Sequence, residues 1–226
     1  MKDVWVISLG GSRIIPEEVD SEFLQDFKKL LDSHRSKKFV VVCGGGTTAR
    51  KYMSALKRLH KPTKKQSREG VAITRLHASF MLRFFGKEAN EDLPFSMKKV
   101  RNLLRKNRIV FCGALRQNKN QTSDGTAAKL AGYLECSFIN LTNIKGLYSA
   151  NPKMNKNARF ISKISWDDFY KRAKKIKFSA GQHFVLDQVA AKEIRDKKIM
   201  TYIVGSLRAI DEILKGRKFV GTRIGD

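Results

Sequence analysis

The stretch VVVCGGGTTARKY, residues 40 to 52, joins an apolar run to three consecutive glycines and then to a helical pattern. The apolar run predicts a buried strand, and the residues from Thr47 onward predict a helix. Glycines at such a junction let backbone amides approach an anion closely, and the start of a helix adds unpaired N–H groups. Three glycines are more than a turn needs, so we favour an anion site over a plain connection. The spacing fits neither a P-loop nor the dinucleotide motif GxGxxG.

The rest of the chain alternates apolar runs with helical patterns, which is typical of an α/β fold with a largely parallel sheet covered by helices. Strands are predicted at 3–9, 38–43, 108–115, 136–142, 200–205 and 219–225, the last as an edge strand. Helices are predicted at 21–34, with Ser21 as the N-cap, and at 47–59, 70–85, 123–134, 166–175, 184–197 and 206–216. No linker or internal repeat interrupts the pattern, so we expect a single domain over residues 1–226.

The charge of the chain is strongly positive. Lys and Arg number 46 against 21 Asp and Glu, which leaves a formal net charge of +25. A chain this basic attracts polyanions without a dedicated site, so we expect non-specific polyanion binding. The basic residues fall in separate runs at 57–65, 98–108 and 171–177, and no aromatic RNA-binding signature accompanies them. A lysine-rich solvated surface is therefore favoured over dedicated nucleic-acid binding.

Cysteine and histidine usage indicates neither a disulfide framework nor a metal site. Cys43, Cys112 and Cys136 form no CxxC pair and adjoin apolar runs, as buried free thiols in a reducing cytoplasm do. The four histidines lack metal-ligand spacing, so no metal held by the protein is expected. No apolar run approaches the length of a membrane span, and the N-terminal segment does not read as a signal peptide. We expect a cytoplasmic protein with no membrane partner.

Three further motifs carry polar or glycine residues at ends of predicted elements. SLGGSR, residues 8–13, is a second junction of a strand with glycines, which makes an anion shared between the two junctions more plausible. NQTSDG, residues 120–125, offers hydroxyls and a carboxylate at a helix start, where they serve as cap, ligand or both. LTNIKGLYSANP, residues 141–152, is predicted as a loop from its spacing alone. Arg50, one turn into the helix after the three glycines, has the fork geometry that suits phosphate oxygens.

The order and spacing of six segments resemble the amino acid kinase family, and most closely its archaeal-type uridylate kinases. The resemblance covers nearly the whole chain through ISLGGS, VVCGGGTTARKY, GVAITRLHAS, QTSDGTAAKLAGYL, TNIKGLYSANP and VLDQVAAKEI. It implies a three-layer α/β/α sandwich with a mainly parallel central sheet. It also implies an N-terminal acceptor-binding lobe of about residues 1–115 and a C-terminal ATP-binding lobe of about residues 116–226.

The activity that the resemblance implies is transfer of the γ-phosphoryl of ATP to UMP, with Mg²⁺, giving UDP and ADP in pyrimidine nucleotide biosynthesis. Such a transfer depends on positioning and charge neutralisation, which glycine amides, helix N-termini and basic side chains supply. The family also implies a homo-oligomer, a hexamer built from dimers, and the apolar residues of segment 70–85 suit either an interface or a core helix.

The resemblance assigns a role to each matching residue. Asp124 matches an organising carboxylate that is not a general base, and it is expected to be catalytic together with Arg50. Asp187 matches a position expected to be structural. ATP is expected to contact Ser8, Leu9, Gly10, Gly11, Ser12, Gly46, Arg50, Thr142, Asn143, Tyr148 and Asn151. UMP is expected to contact Gly45, Ser67, Gln121, Thr122 and Ser123.

The chain departs from the family pattern at several of these positions. Ser8 replaces a lysine, Ser67 replaces the aspartate that holds the acceptor ribose, and Lys145 and Asn151 replace two more aspartates. Further departures are Ser179 for a lysine, Ala114–Leu115 for a Gly–Thr pair, and a lengthened loop after Leu115. Two alternatives remain open: a diverged kinase fold that binds nucleotide or nucleic acid with little or no catalysis, and a sister kinase for another small phosphate such as isopentenyl phosphate. The latter group usually carries a histidine where Thr47 and Thr48 stand.

Overall fold

Seven strands form one sheet at the centre of the molecule. The structure is a computed structural model that describes residues 3–115, 122–150, 152, 155–175 and 186–226. The strands of this sheet are β1 (Val4–Leu9), β2 (Lys38–Cys43), β3 (Ile109–Cys112), β4 (Ser137–Leu141), β7 (Lys163–Ile164), β8 (Thr201–Val204) and β9 (Thr222–Ile224). A separate antiparallel pair consists of β5 (Leu147–Tyr148) and β6 (Phe160–Ile161).

The strand order in the large sheet is β3-β2-β1-β4-β8-β9-β7. The first five of these strands are mutually parallel, β9 runs antiparallel to β8, and β7 runs parallel to β9. The mainly parallel sheet is thus confirmed. The prediction that residues 219–225 form an edge strand is wrong, because β9 lies between β8 and β7. Strand order depends on contacts between distant segments, and a local pattern does not reveal it.

Helices cover both faces of the sheet. In chain order they are α1 (Gly11–Ile14), α2 (Ser21–Ser33), α3 (Gly46–Arg58), α4 (Thr63–Phe85), α5 (Met97–Lys106), α6 (Ser123–Leu134), α7 (Trp166–Lys174), α8 (Gln188–Asp196) and α9 (Leu207–Leu214). One core joins the sheet to α5, α6, α7 and α8, and the other joins it to α2, α4 and α9. The predicted three-layer α/β/α arrangement is therefore confirmed.

Local differences from the sequence predictions have physical causes. Helix α4 begins at Thr63, seven residues before the predicted start. Residues 63–69 bury no side chain in the core, so they lack the apolar period from which a helix is predicted. The α2 cap is Asp20, whose side chain accepts a hydrogen bond from the Phe23 N–H at 3.0 Å, so the assignment to Ser21 is wrong. Helix α5 was not predicted, since only Val100 and Leu104 of its residues are buried.

The topology brings the glycine-containing loops to one edge of the sheet. The chain winds outward from β1 through β2 to β3, then returns to β4 on the other side of β1. The carboxyl ends of β1, β2 and β4 therefore meet at a switch point, which is where ligands bind in open α/β sheets. In the part of the chain that the structure describes, no helix combines the length and apolar character needed to cross a membrane.

Candidate active site

The glycine loops, residues 10–12 after β1 and 44–46 after β2, touch each other through their backbones. A Cβ atom at Gly11 would lie 2.4 Å from both the Gly44 oxygen and the Gly46 nitrogen. A Cβ atom at Gly46 would lie 2.4 Å from the Gly11 carbonyl carbon, and Gly46 also has a φ of +57°. No side chain fits at Gly11 or Gly46. These glycines therefore allow the two loops to approach each other closely, and Gly46 also allows the turn with positive φ.

Two long helices begin at this edge of the sheet. Helix α3 starts at Gly46 without a side-chain hydrogen bond at its cap, so its first N–H groups lack that partner. Helix α6 starts at Ser123, behind the cap residue Thr122, whose hydroxyl accepts from the Asp124 N–H at 3.2 Å. Unpaired N–H groups and the partial positive charge of a helix N-terminus favour anions. Ser123 Oγ lies 3.3 Å from the place where a Gly44 Cβ would sit, so α6 starts against the second glycine loop.

Asp124 and Ser8 form a polar pair between these loops. Alternate residues of a strand point to the same face, so Ser8 shares a face of β1 with Val4 and Val6. Val4 and Val6 pack in the core that includes α6, so Ser8 also faces α6. Its hydroxyl donates to Asp124 Oδ1 at 2.6 Å. Burial raises the pKa of Asp124 to about 7; the Ser8 hydrogen bond opposes this rise and the nearby Asp187 carboxylate adds to it. The Ser8 hydrogen bond therefore does not fully offset the cost of burying the negative charge of Asp124.

Asp187 holds the start of α6 in place. Its Oδ2 accepts from the Thr122 N–H at 2.8 Å, the Thr122 hydroxyl at 2.7 Å and the Gly125 N–H at 3.2 Å. Its Oδ1 caps α8 by accepting from the Ala190 N–H at 2.7 Å. These contacts give Asp187, which is 3% exposed, the structural role expected from the sequence.

Helix α4 supports the second glycine loop and the end of β3. His77 Nδ1 lies 2.7 Å from the Gly44 oxygen, and since a carbonyl only accepts, Nδ1 carries the proton. His77 Nε2 is buried and has no hydrogen-bond partner among the described residues. Thr74 Oγ1 accepts from the Ala114 N–H at 2.9 Å, and the Arg75 guanidinium donates to the Ala114 and Leu115 oxygens.

Sequence reasoning missed His77 as a site residue. Its partner lies thirty-three positions earlier in the chain, and its own position on α4 follows the ordinary core pattern. The sequence therefore offers no local signal for this contact. Arg13 was missed for the same reason: it donates to the Thr142 oxygen at 3.2 Å and to the Gly205 oxygen, tying the loops after β4 and β8 to the first glycine loop.

The sequence-predicted residues differ in how closely the structure groups them. Arg50 is half-buried one turn into α3, where it donates to Thr47 Oγ1 at 3.0 Å. Ser67 is half-buried one turn before Gly70, whose oxygen is 3.6 Å from the place of a Gly45 Cβ. Leu9 has its side chain fully in the core, and its oxygen accepts from the Gly44 N–H at 2.8 Å. The side chain of Leu9 thus faces away from the loops.

Of the remaining predicted residues, Thr142 and Asn143 extend the site along the edge of the sheet. Gly10 donates to the Leu141 oxygen at 3.3 Å, which puts Thr142 and Asn143 next to the first glycine loop. Tyr148 lies apart on the β5–β6 pair, with its ring 5.4 Å from that of Phe160, and no described contact joins it to the glycine loops. Gln121, Asn151 and Ser179 lie outside the described residues.

Neither a metal cluster nor a reactive thiol is present at the described residues of this edge. No group of three or more His, Cys, Asp or Glu side chains in the described ranges could hold a metal ion. Cys43 and Cys112 are free and buried, and burial raises the pKa of Cys112 to about 12. The chemistry available here therefore consists of backbone N–H groups, hydroxyls, an imidazole, carboxylates and guanidinium groups.

The chain is similar to known proteins over nearly its whole length. The chain is 32% identical over 219 residues to the uridylate kinase of Thermococcus kodakarensis, covering 94% of this chain and 95% of the relative. It is 34% identical over 223 residues to the uridylate kinase of Archaeoglobus fulgidus, covering 97% and 98%.

Solved structures extend the likeness to three dimensions. The crystal structure of the Archaeoglobus fulgidus uridylate kinase superposes with a TM-score of 0.84 at 32% identity, over 97% of this chain and 99% of the other. The UMP kinase from Bacillus anthracis, at 18% identity, shares the fold with a TM-score of 0.82 over 99% of this chain and 96% of the other. The family model for the amino acid kinase family matches residues 3–205. The chain belongs to the amino acid kinase family.

Proposed function

We propose that the chain is an ATP-dependent UMP kinase, which transfers the γ-phosphoryl of ATP to UMP and releases UDP and ADP. The observation that carries the proposal is the meeting of the two glycine loops beside the Ser8–Asp124 pair, at the switch point of the sheet. The near full-length likeness to uridylate kinases supports UMP as the acceptor. It favours this function over the inactive and isopentenyl phosphate alternatives.

The two substrates are proposed to meet where the loops touch. Gly45, Ser67, Thr122, Ser123 and Gln121 would hold UMP. The ATP phosphates would lie along residues 8–12, with Gly46 and Arg50, and its nucleoside would lie along Thr142, Asn143, Tyr148 and Asn151. The acceptor lobe (about 1–115) and the ATP lobe (about 116–226) are proposed from the family resemblance, and each lobe would also contribute residues to the other substrate. The N-terminus of α3 would lie between the UMP-binding and the ATP-binding residues, close to the negative charge of the phosphoryl group that is transferred.

The residues would act by positioning and charge stabilisation rather than by covalent chemistry. Phosphoryl transfer passes through a state whose charge is spread over the equatorial oxygens, which backbone N–H groups and a guanidinium stabilise. Arg50 would supply the guanidinium, held toward the loops by its bond to Thr47. Asp124 would not remove a proton from UMP, since a phosphate acceptor at neutral pH is already largely ionised. Through its hydrogen bond with Ser8, Asp124 would hold the start of α6 in position next to the end of β1.

Mg²⁺ would arrive with ATP. Mg²⁺ usually keeps several waters and binds through one or two carboxylates together with substrate phosphates. The residues present fit this mode: Asp124 is half-buried beside the proposed phosphate position, and the described residues supply no closed set of protein ligands. Asp124 would therefore hold the ion directly or through water, and the ion would neutralise phosphate charge.

We also propose that the chain works in the cytoplasm as a homo-oligomer, with a hexamer as the family expectation. The support in the structure is an apolar stripe on the outer side of α4, defined by Ala72, Leu76, Phe80 and Phe84. Leu76 is 60% exposed within this stripe. A second copy of the chain would cover it.

The test is direct product analysis. The purified protein is incubated with Mg-ATP and UMP, CMP or AMP, and the nucleotides are separated by ion-exchange chromatography. UDP and ADP should form in equal amounts, and UMP should be the preferred acceptor. Absence of UDP formation overturns the proposal. Arg50→Ala should lower turnover by two or more orders of magnitude, whereas Lys51→Ala, a change at the exposed neighbour, should not.

A further inference from the structure

The pair formed by α3 and α4 projects beyond the body of the protein. We call residues 50–69 the basic hairpin: most of α3, the connecting loop and the first turns of α4. No residue from 50 to 72 is buried. Helix α4 meets the loops at the carboxyl edge of the sheet through Thr74 and His77. At 1.5 Å per residue, the part of α4 before Gly70 extends about 10 Å past that edge.

The basic hairpin carries a concentrated positive charge. It contains eight Lys and Arg residues and a single acidic residue, Glu69. On other exposed helices basic side chains pair with acidic neighbours, as in Lys192–Asp196 at 2.5 Å and Lys215–Asp211 at 2.6 Å. Six exposed basic side chains of the hairpin form no ion pair in the part of the chain that the structure describes: Lys51, Lys57, Arg58, Lys61, Lys65 and Arg68.

The same pair of helices carries an exposed aromatic ring. Tyr52 is 56% exposed, and no described ring or cation faces it. Proteins that bind single-stranded nucleic acid combine a positive surface for the phosphates with aromatic rings on which bases stack. A membrane-binding helix needs a continuous apolar face, whereas Tyr52 and Leu59 are the only strongly exposed large hydrophobics of the hairpin, all of which the structure describes. The surface chemistry therefore favours a nucleic acid over a lipid bilayer.

The other basic helix of the described chain offers a weaker match. Helix α5 has five basic residues, but it lies on the sheet with Val100 and Leu104 buried. Its aromatic neighbour, Tyr133, is already faced by Arg101 at 5.5 Å from the ring centroid. The basic hairpin, by contrast, starts next to the glycine loop that begins α3, so a strand bound there would run beside the nucleotide cleft.

We propose that the basic hairpin binds single-stranded nucleic acid. Phosphates contact Lys57, Arg58, Lys61 and Lys65, and a base stacks on Tyr52. These five side chains differ from the residues that hold ATP and UMP in the proposed kinase reaction, although Arg50 and Ser67 of that site lie near the two ends of the hairpin. Binding therefore does not require turnover, and the two proposals stand or fall independently.

The test compares two variants of equal charge. The hairpin variant replaces Lys57, Arg58, Lys61 and Lys65 with Gln, and the α5 variant replaces Lys98, Lys99, Arg105 and Lys106 with Gln. Both have a net charge of +21, which is +25 minus 4. Binding of a fluorescent oligouridylate of about 16 nucleotides is followed by anisotropy between about 50 and 200 mM salt, without ATP or UMP. Circular dichroism and thermal unfolding check that both variants fold.

The hairpin variant should bind at least tenfold more weakly than wild type. Its slope of log affinity against log salt should fall by about 3, which is roughly 0.7 for each of four lost phosphate contacts. The α5 variant should retain most of the affinity. Tyr52→Ala should weaken binding without changing the salt slope, whereas Tyr52→Phe should bind as tightly as wild type.

Three results overturn the proposal. Equal loss of affinity in the two charge variants would mean that the whole surface attracts the strand, without a local site. Failure of the wild-type protein to bind the oligonucleotide would remove the proposal outright. Hairpin-dependent binding to phosphatidylserine vesicles with no oligonucleotide binding would assign the surface to a membrane instead.

Discussion

Asp124 shows how a single residue joins fold and function. Its carboxyl group accepts the Ser8 hydroxyl, yet burial and the neighbouring Asp187 raise its pKa to about 7. Near neutral pH, about half of the molecules without substrate therefore carry a protonated Asp124. Mg²⁺ that enters with ATP would favour the charged form. The charged carboxylate thus lowers the stability of the free protein at the proposed phosphate site.

Replacing Asp124 with Asn should stabilise the protein at high pH while lowering its turnover. The native pKa lies above the unfolded value of 3.8, so the folded state holds its proton more tightly. Stability from this group is complete below about pH 4 and is lost as the pH rises to about 7. The Asp124→Asn variant avoids this loss, because an amide does not titrate. We expect it to exceed wild type in urea unfolding at pH 8 by at most about 4 kcal/mol, and the gain to vanish near pH 4.

Asp168→Asn is the matched control for this change. Asp168 is exposed at the start of α7, where hydrogen bonds from Ser165 and Lys171 lower its pKa. Its charged form is favoured in the folded state, so its removal should cost stability above pH 4 rather than add to it. A gain at pH 8 in both variants would show that loss of negative charge, without burial, explains the result.

His77 is expected to position the second glycine loop. His77→Asn keeps an N–H donor near the position of Nδ1, so it should retain the bond to the Gly44 oxygen. His77→Leu leaves that buried oxygen without its partner, which costs about 1–3 kcal/mol. We expect the Leu variant to lose about tenfold or more in kcat/KM for UMP and the Asn variant to stay within about threefold.

The stability of the wild-type protein and that of the His77→Asn variant should depend differently on pH. Burial lowers the pKa of His77 below 6.5, so the folded state disfavours its protonation and wild-type stability should fall as the pH drops below 6.5. His77→Asn removes this loss, and thermal unfolding between about pH 5 and 8 measures it. If the Asn and Leu variants have the same kcat and KM, the bond to Gly44 has no part in positioning the loop.

Among elements, the two glycine loops depend on each other. Gly11→Ala should prevent their approach, because its Cβ would lie 2.4 Å from backbone atoms of Gly44 and Gly46. Gly10→Ala is the control: its Cβ would meet the Leu141 oxygen at 3.4 Å, an ordinary contact, and its φ is −56°. Differential scanning calorimetry should show a drop of several degrees in Tm for Gly11→Ala and a small change for Gly10→Ala. Equal Tm values would mean that the loops separate without cost.

The elements differ in how well the sequence predicts them. The central strands are buried on both faces, so they appear as uninterrupted apolar runs and were predicted to within three residues at either end. The first turns of α4 and all of α5 bury few or no residues, so their apolar period is weak. Short strands such as β7 depend on pairing with a distant segment, which no local pattern encodes.

The residues of the candidate site also differ in how well the sequence predicts them. Glycines, Asp124 and Arg50 lie in motifs whose order along the chain is informative. His77 and Arg13 act through bonds to backbone oxygens far away in sequence, at Gly44, Thr142 and Gly205. Any residue can offer a backbone oxygen, so the partner leaves no mark in the sequence. Such supporting contacts emerge only from the three-dimensional arrangement.

At the scale of the whole molecule, the stripe on α4 predicts an assembly. Ala72, Leu76, Phe80 and Phe84 recur every four residues on one side of the helix, and the rings of Phe80 and Phe84 are 6.1 Å apart. Covering a side chain such as Leu76 contributes about 1.5–3 kcal/mol. Wild-type protein should therefore have a mass by light scattering that is a multiple of 25.7 kDa.

Leu76→Glu should break this assembly, because association would bury an unpaired charge against the apolar stripe of the second copy. Its mass should fall toward 25.7 kDa at micromolar concentration. Val220→Glu is the control, since Val220 is 65% exposed but lies outside the stripe, and it should leave the mass unchanged. A monomeric wild type, or an oligomer that Leu76→Glu leaves intact, would show that α4 is not the interface. If instead both Glu variants dissociate the oligomer, added negative charge rather than the stripe governs the association.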